Sequence, residues 1–164
     1  MRILGIDPGL AIIGYGIIDF VGNSFKVIDY GQINTPAKMP IADRIQSIYR
    51  DLNRILETYK PEDIAFEELF YNKNAKTVIN VAQARGVEVL ACRNFTDSIY
   101  EYTPLQIKKS LVGYGRATKE QIQYMVRVLL HLEEVPKPDD VADALAVALT
   151  HASSINFKES FRMI

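Results

Sequence analysis

Apolar residues arrive along this chain in two rhythms. RILGID (2–7) and EDIAFE (62–67) are short apolar runs without clean alternation, the pattern of strands buried on both faces. GYGIIDF (14–20) and KVIDYGQIN (26–34), joined by VGNS, predict a meander of strands, and DSIYEY (97–102) predicts a fifth strand. Between Pro40 and Lys60 the rhythm changes: Ile41, Ile45, Ile48, Leu52, Ile55, Leu56 and Tyr59 recur at helical spacing. NAKTVINVAQARGVEVL predicts a second helix with small residues on its apolar face. A short helix follows from Pro104, and then one opened by TKEQ, where Thr118 and Gln121 form a capping box. The last helix is PDDVADALAVALTH (138–151), with Asp139 as its N-cap. Three strands, then helix, strand, helix, strand and helices predict an α/β fold, a mixed sheet covered by helices. One domain is expected over residues 1–154, with 155–164 a short, loosely attached C-terminal tail.

Composition changes this picture little. At 48% hydrophobic and 24% charged, the chain can fill one core. No apolar run approaches bilayer length, and MRILGIDPG lacks the organisation of a signal peptide, so no membrane partner is expected. A single cysteine, Cys92, excludes an internal disulfide and suits a reducing cytoplasm. His131 and His151 lie far apart, so no zinc-type ligand spacing exists. The net charge of −1 gives no hint of a partner, but its distribution does. Residues 70–127 hold nine Lys and Arg against four acids, which leaves the rest of the chain acidic. That contrast fits either a solvated face or a surface for an anionic partner.

The last predicted helix holds the anomaly. After its opening turn it is apolar all round up to Leu149 except for Asp143, and burying a carboxylate costs several kcal/mol unless it meets a partner or a metal. Asp140, three residues earlier on the same face, is accounted for by the helix dipole; one turn deeper, that account weakens and a positive ligand is the better explanation. Asp7 ends a buried strand in Asp-Pro-Gly, itself a sufficient turn sequence. Glu67 and Glu68 end another buried strand, where chains reach solvent but also where α/β sheets collect ligands. If these acids converge they repel, unless divalent cations use them as oxygen ligands. Two such ions about 3.5–4 Å apart can stabilise both attacking and leaving oxygens of an in-line phosphoryl displacement.

RILGIDPGL with GYGII, FEELFYNKNAKT, AQARG, VGYGRATKEQIQ and DDVADALAVALTH, in this order and at these spacings, resemble the RuvC family of Holliday-junction resolvases from Arg2 to His151. The resemblance implies a ribonuclease H-like fold with a five-stranded mixed sheet flanked by helices. It implies a homodimeric, Mg²⁺-dependent endonuclease that cuts four-way DNA junctions symmetrically, leaving 5′-phosphate and 3′-hydroxyl ends, and a RuvA–RuvB branch-migration complex as partner. The family's carboxylates fall on Asp7, Glu67, Asp140 and Asp143, which would hold two Mg²⁺ ions, with Mn²⁺ a substitute. The alignment, not the chemistry, chooses Glu67 over Glu68 and Asp140 over Asp139. Some relatives carry His at the last position, whereas Asp143 makes the site all-oxygen.

Phe70 matches the family's aromatic that meets unstacked bases at the junction. With Tyr71, Lys73 and Lys76 it could stack on a base while the cations hold phosphates; core packing is the competing reading. Lys108 and Lys119 match basic positions beside the family's active site, and Lys109 and Arg116 in the same basic segment are expected DNA contacts. The helix with Ala75, Ala82 and Ala84 matches the family's dimer helix. The role of Arg85 stays open.

Three other functions compete. A ribonuclease H-like nuclease for structured RNA or RNA–DNA hybrid would share the N-terminal motif. An actin-like nucleotide-binding module would use DPG with Gly14 and Gly16, but it needs a second phosphate loop that the chain lacks. A non-catalytic junction binder would gain nothing from four carboxylates facing DNA.

Overall fold

A computed structural model describes residues 1–69 and 75–163, with side chains from residue 78 onward in the second span. Its strands are β1 (Arg2–Asp7), β2 (Ile12–Val21), β3 (Ser24–Asn34), β4 (Asp63–Glu67) and β5 (Ile99–Tyr102). The helices are α1 (Ile41–Tyr59), α2 (Ala75–Phe95), α3 (Pro104–Val112), α4 (Lys119–Leu129) and α5 (Asp139–Ser153), followed by a 3₁₀ segment, Ile155–Phe161. The strands form one sheet in the order β3-β2-β1-β4-β5. β1 pairs antiparallel with β2 and parallel with β4, and β4 pairs parallel with β5, so the sheet is mixed as expected.

Pleat parity decides which side chains can meet. Along β1, Leu4 and Ile6 pack with Ile48, Leu52 and Leu56 of α1 and with Ala84, Ala91 and Cys92 of α2. Ile3 faces the opposite layer, with Leu145 and Leu149 of α5 and residues of α3 and α4. Side chains alternate across a strand, so Asp7 shares the α5 side with Ile3 and Gly5. In β4, Ala65 packs in the α5 layer while Ile64 and Phe66 face α1 and α2, so Glu67 also points to the α5 side. Both strand-end acids therefore lie under one helix.

That helix lies unusually close to the sheet. A Cβ on Gly5 would sit 2.7 Å from the Ala148 amide nitrogen, and nearer still to the Ala144 carbonyl oxygen. A Cβ on Gly14 would meet the Asp140 carbonyl well inside van der Waals contact. Glycine in the strands and alanine on the helix let two backbones approach, which sets the height of α5 over β1 and β2. The helix is buried from Val141 to Ala152 except at Asp143, as its all-apolar sequence requires.

Most sequence-based boundaries shift by a residue or two, as frayed ends do, whereas α2 runs five residues beyond Leu90, to Phe95. Two differences have a physical cause. The N-cap of α5 is Pro138 rather than Asp139, and no side chain caps the helix; the Asp139 side chain is held instead by Gln123 at 3.0 Å and by Lys119. The capping box at Thr118 and Gln121 forms as expected, and Thr103 with Gln106 forms another before α3. The last residues are tied down rather than loose: Lys158 Nζ reaches Asp63 at 2.7 Å, and Met163 pairs its amide with the Ile99 carbonyl. Asp63 is buried and also meets His151 Nε2 at 2.9 Å, while Nδ1 of that ring shares the Tyr102 hydroxyl at 2.8 Å. A carboxylate can only accept, so Nε2 donates. Burial pushes Asp63 up, but the hydrogen bonds from His151 and Lys158 outweigh it and hold the group below its ordinary range. His151 is thus a structural residue, fastening α5 to the start of β4.

Candidate active site

Four acids meet where β1 and β4 end. The register aligns Ile6 with Phe66, so Asp7 and Glu67 leave neighbouring parallel strands side by side. The α5 backbone at Asp140 rests on Gly14, the β2 partner of Asp7, and this carries Asp140 and then Asp143 over the strand ends. Three segments distant in sequence thus supply one cluster, as expected.

Its electrostatics are those of like charges gathered in a half-buried place. Burial first, then repulsion from Glu67, Asp143 and Asp140, pushes Asp7 up to about 8. Burial and the charge of Asp143 raise Glu67 to about 7, against the pull of Lys119 and Lys108. Burial likewise raises Asp143, although Lys119 donates to it. Lys119 is the cation that answers this charge: its Nζ lies 3.0 Å from Asp143 Oδ2 and 3.4 Å from Asp139 Oδ2. Burial would lower its own affinity for a proton, but the carboxylates more than compensate and raise it.

Glu67, Asp143, Lys108 and Lys119 line a cleft of about 260 Å³ together with Ile107 and Ile122, while Asp7 and Asp140 are not part of its lining. Acids and amines gathered in one cleft suit a phosphate group: the amines answer its charge, while bare carboxylates repel it. Among the described residues, no group of three acid, His or Cys side chains is arranged to enclose an ion. An ion bound by one or two of the carboxylates would leave most of its coordination to water and phosphate, which is how Mg²⁺ is usually held. The donor set, acceptor-only oxygens in mutual repulsion, fits such a cation.

The remaining expected residues divide. Lys109 and Arg116 are exposed and do not line this cleft. Phe70, Tyr71 and Lys73 lie outside the described residues, and of Lys76 only the backbone, at the start of α2, is described. Of the alanines expected on one face of α2, Ala84 is buried in the core and Ala82 is exposed. The outward stripe consists instead of Ile79, Ala82, Gln83, Gly86 and Leu90, with Ile79 60% and Leu90 53% exposed.

The sequence reading missed two residues. Arg85, left open there, donates from Nη1 to the Glu67 carbonyl at 3.2 Å and pairs with Glu101. Glu88, counted only as a charge, is fully buried in α2 beside Ala84, Ala91 and Cys92. Its signal was available, because an acid on an apolar helical stripe is the same anomaly that singled out Asp143.

A mixed sheet in this order, with acids at the ends of adjacent parallel strands and on a helix crossing them, is the arrangement of ribonuclease H-like nucleases. The family model of crossover junction endodeoxyribonuclease RuvC matches residues 3–151, and the chain belongs to that family. The RuvC protein of Alkaliphilus oremlandii is 60% identical over 163 residues, covering 99% of each chain. The solved structure of Thermus thermophilus RuvC superposes with a TM-score of 0.87 at 33% identity, over 95% of this chain and 96% of that one. T. thermophilus RuvC in complex with a Holliday junction substrate superposes with a TM-score of 0.89 at 34% identity, over 94% of each.

Proposed function

We propose that this chain resolves four-way DNA junctions as a Mg²⁺-dependent homodimeric endonuclease, cutting two strands symmetrically to leave 5′-phosphate and 3′-hydroxyl ends. The observation that carries the proposal is the cluster of Asp7, Glu67, Asp140 and Asp143, of which Glu67 and Asp143 line a cleft shared with Lys108 and Lys119. Those four carboxylates would hold the metal, two ions per site, with Mn²⁺ able to replace Mg²⁺. When bound, divalent ions neutralise the acids, admit the phosphodiester and stabilise charge as water displaces the 3′ oxygen in line. Lys119 and Lys108 bind the phosphate and orient it against the acids. Lys119 also opposes the burial that raises Asp143. Replacing Lys119 by Ala should slow junction cleavage by about 10²-fold, in line with removal of one charge-stabilising group at a reacting centre. The check is single-turnover cleavage at saturating Mg²⁺.

The resemblance extends the proposal to Phe70, Tyr71, Lys73, Lys76, Lys109 and Arg116 as contacts to the junction, to a RuvA–RuvB partner and to a cytoplasmic setting. The outward stripe of α2 supports the dimer, since apolar Ile79 and Leu90 flank the small Ala82 and Gly86 on one face. Residues 1–154 would be the nuclease domain and 155–164 an appended segment fastened to it.

The deciding experiment compares an end-labelled mobile four-way junction, linear duplex and RNA–DNA hybrid, each with Mg²⁺ or EDTA. Paired, ligatable nicks are expected on the junction alone, only with metal, and none with Asp143→Asn. A junction bound but uncut by the native protein would make it a binder. Cutting of the hybrid instead would move it to the neighbouring nuclease class.

A further inference from the structure

We infer that Glu88 is a positioning residue for the proposed metal site: from the buried face of α2 it pins the turn that follows Asp7. The inference rests on the reading of Asp7 as a metal ligand. Glu88 Oε1 accepts the Gly9 amide at 3.4 Å, and Oε2 is buried with no partner among the described residues. A carboxyl group enclosed this way costs free energy that Leu at the same place would not. Packing alone therefore does not account for it.

The rest of the turn shows what the contact does. Thr35 donates its amide to the Ala11 carbonyl at 3.0 Å and its hydroxyl to the Leu10 carbonyl, and Arg44 braces Thr35 from α1. These bonds hold the far side of the turn. The side nearer Asp7 is held by Glu88, through an amide two residues beyond the ligand. One turn earlier on α2, Arg85 holds the carbonyl of Glu67. A single helix thus grips the backbone at both strand ends that carry the carboxylates, and neither grip uses the carboxylates themselves. Their relative position is set from the face of the sheet opposite α5.

The test uses the full-length protein and two substitutions. Glu88→Leu fills the same space, removes the buried carboxyl and should melt no lower than the native protein. Even so, its Mn²⁺ affinity, measured by calorimetry without DNA, should fall about tenfold, the lower end for groups that orient metal ligands. The Mg²⁺ concentration giving half-maximal junction cleavage should rise by a similar factor. Amide exchange across residues 8–12 should quicken without metal, while exchange in β2 stays native. Glu88→Gln keeps the acceptor and should restore all three quantities to within about twofold. Native values in Glu88→Leu would overturn the inference, and so would a Gln variant as impaired as the Leu one. Asp7→Asn serves as the control: if it binds Mn²⁺ as the native protein does, the metal reading of the site fails. The exchange comparison still decides whether Glu88 pins the turn.

Discussion

Asp7→Asn is expected to abolish cleavage and, without divalent ions, to make the protein more stable. Asp7 titrates at about 8 in the fold against an ordinary 3.8, and Glu67 at about 7 against 4.5. Where the folded value is the higher one, the fold binds protons more tightly than the unfolded chain does. Stability is then fullest below about pH 4 and is lost as pH rises through 7 and 8. The metal-free native protein should therefore lose melting temperature across that window, and Asn at position 7 should flatten the loss. The gain at pH 8 should be about 2 kcal/mol, or ~4–8 °C for a chain of this size. Mg²⁺ should raise the native melting temperature at pH 8 and barely move that of the variant. Cleavage should fall by about 10³-fold or more, roughly 4 kcal/mol of barrier. Scanning calorimetry in EDTA and in Mg²⁺, beside a junction assay, reads both effects. Equal Mg²⁺ stabilisation of the two proteins would take Asp7 out of the ligand set.

Gly14→Ala should be nearly as damaging for a different reason. The added methyl meets the Asp140 carbonyl, backbone against backbone, with no rotamer to escape into. Either β2 bends or the first turn of α5 lifts, carrying Asp140 and Asp143 off the strand ends. The cost should be about 3 kcal/mol of stability, the upper end of ordinary overpacking. Cleavage by the folded fraction should fall by about 10²-fold, since a displacement near 1 Å can cost that much. Gly22→Ala is the contrasting case. Gly22 has φ +63° and, among the described residues, no atom near its would-be Cβ. That change should cost about 1 kcal/mol and leave cleavage unchanged. Urea unfolding with single-turnover kinetics separates the two variants.

The site was legible in the sequence wherever a residue contradicted its surroundings. Asp143 stands in an apolar helix, and only a ligand or a cation explains it there. The structure supplies Lys119, which the basic segment already contained. Asp7 and Glu67 were legible as strand ends, but choosing Glu67 over Glu68 needed the pleat, which counts from the buried residues of β4. Asp139 was misread because a good capping residue beside Pro reads locally as a cap; Lys119, twenty positions earlier, claims it instead. The attachment of the last residues was not legible, since Lys158 finds Asp63 across most of the chain. Periodicity sees neighbours along one element, and these pairings join elements that the sequence does not yet bring together.

The placement of α5 also has a consequence in time. Asp7 leaves the ribosome well before Asp140 and Asp143, which lie more than a hundred residues further along the chain. At roughly 5–20 residues per second, a half-made chain carries Asp7 and Glu67 for seconds before the helix that completes the cluster exists. The strands cannot gather the four carboxylates alone, because α5 supplies two of them and covers the face on which the other two lie. A nascent chain or a product clipped before α5 therefore lacks two of the four carboxylates, and on the proposed reading the potential to cut DNA arrives only with that helix.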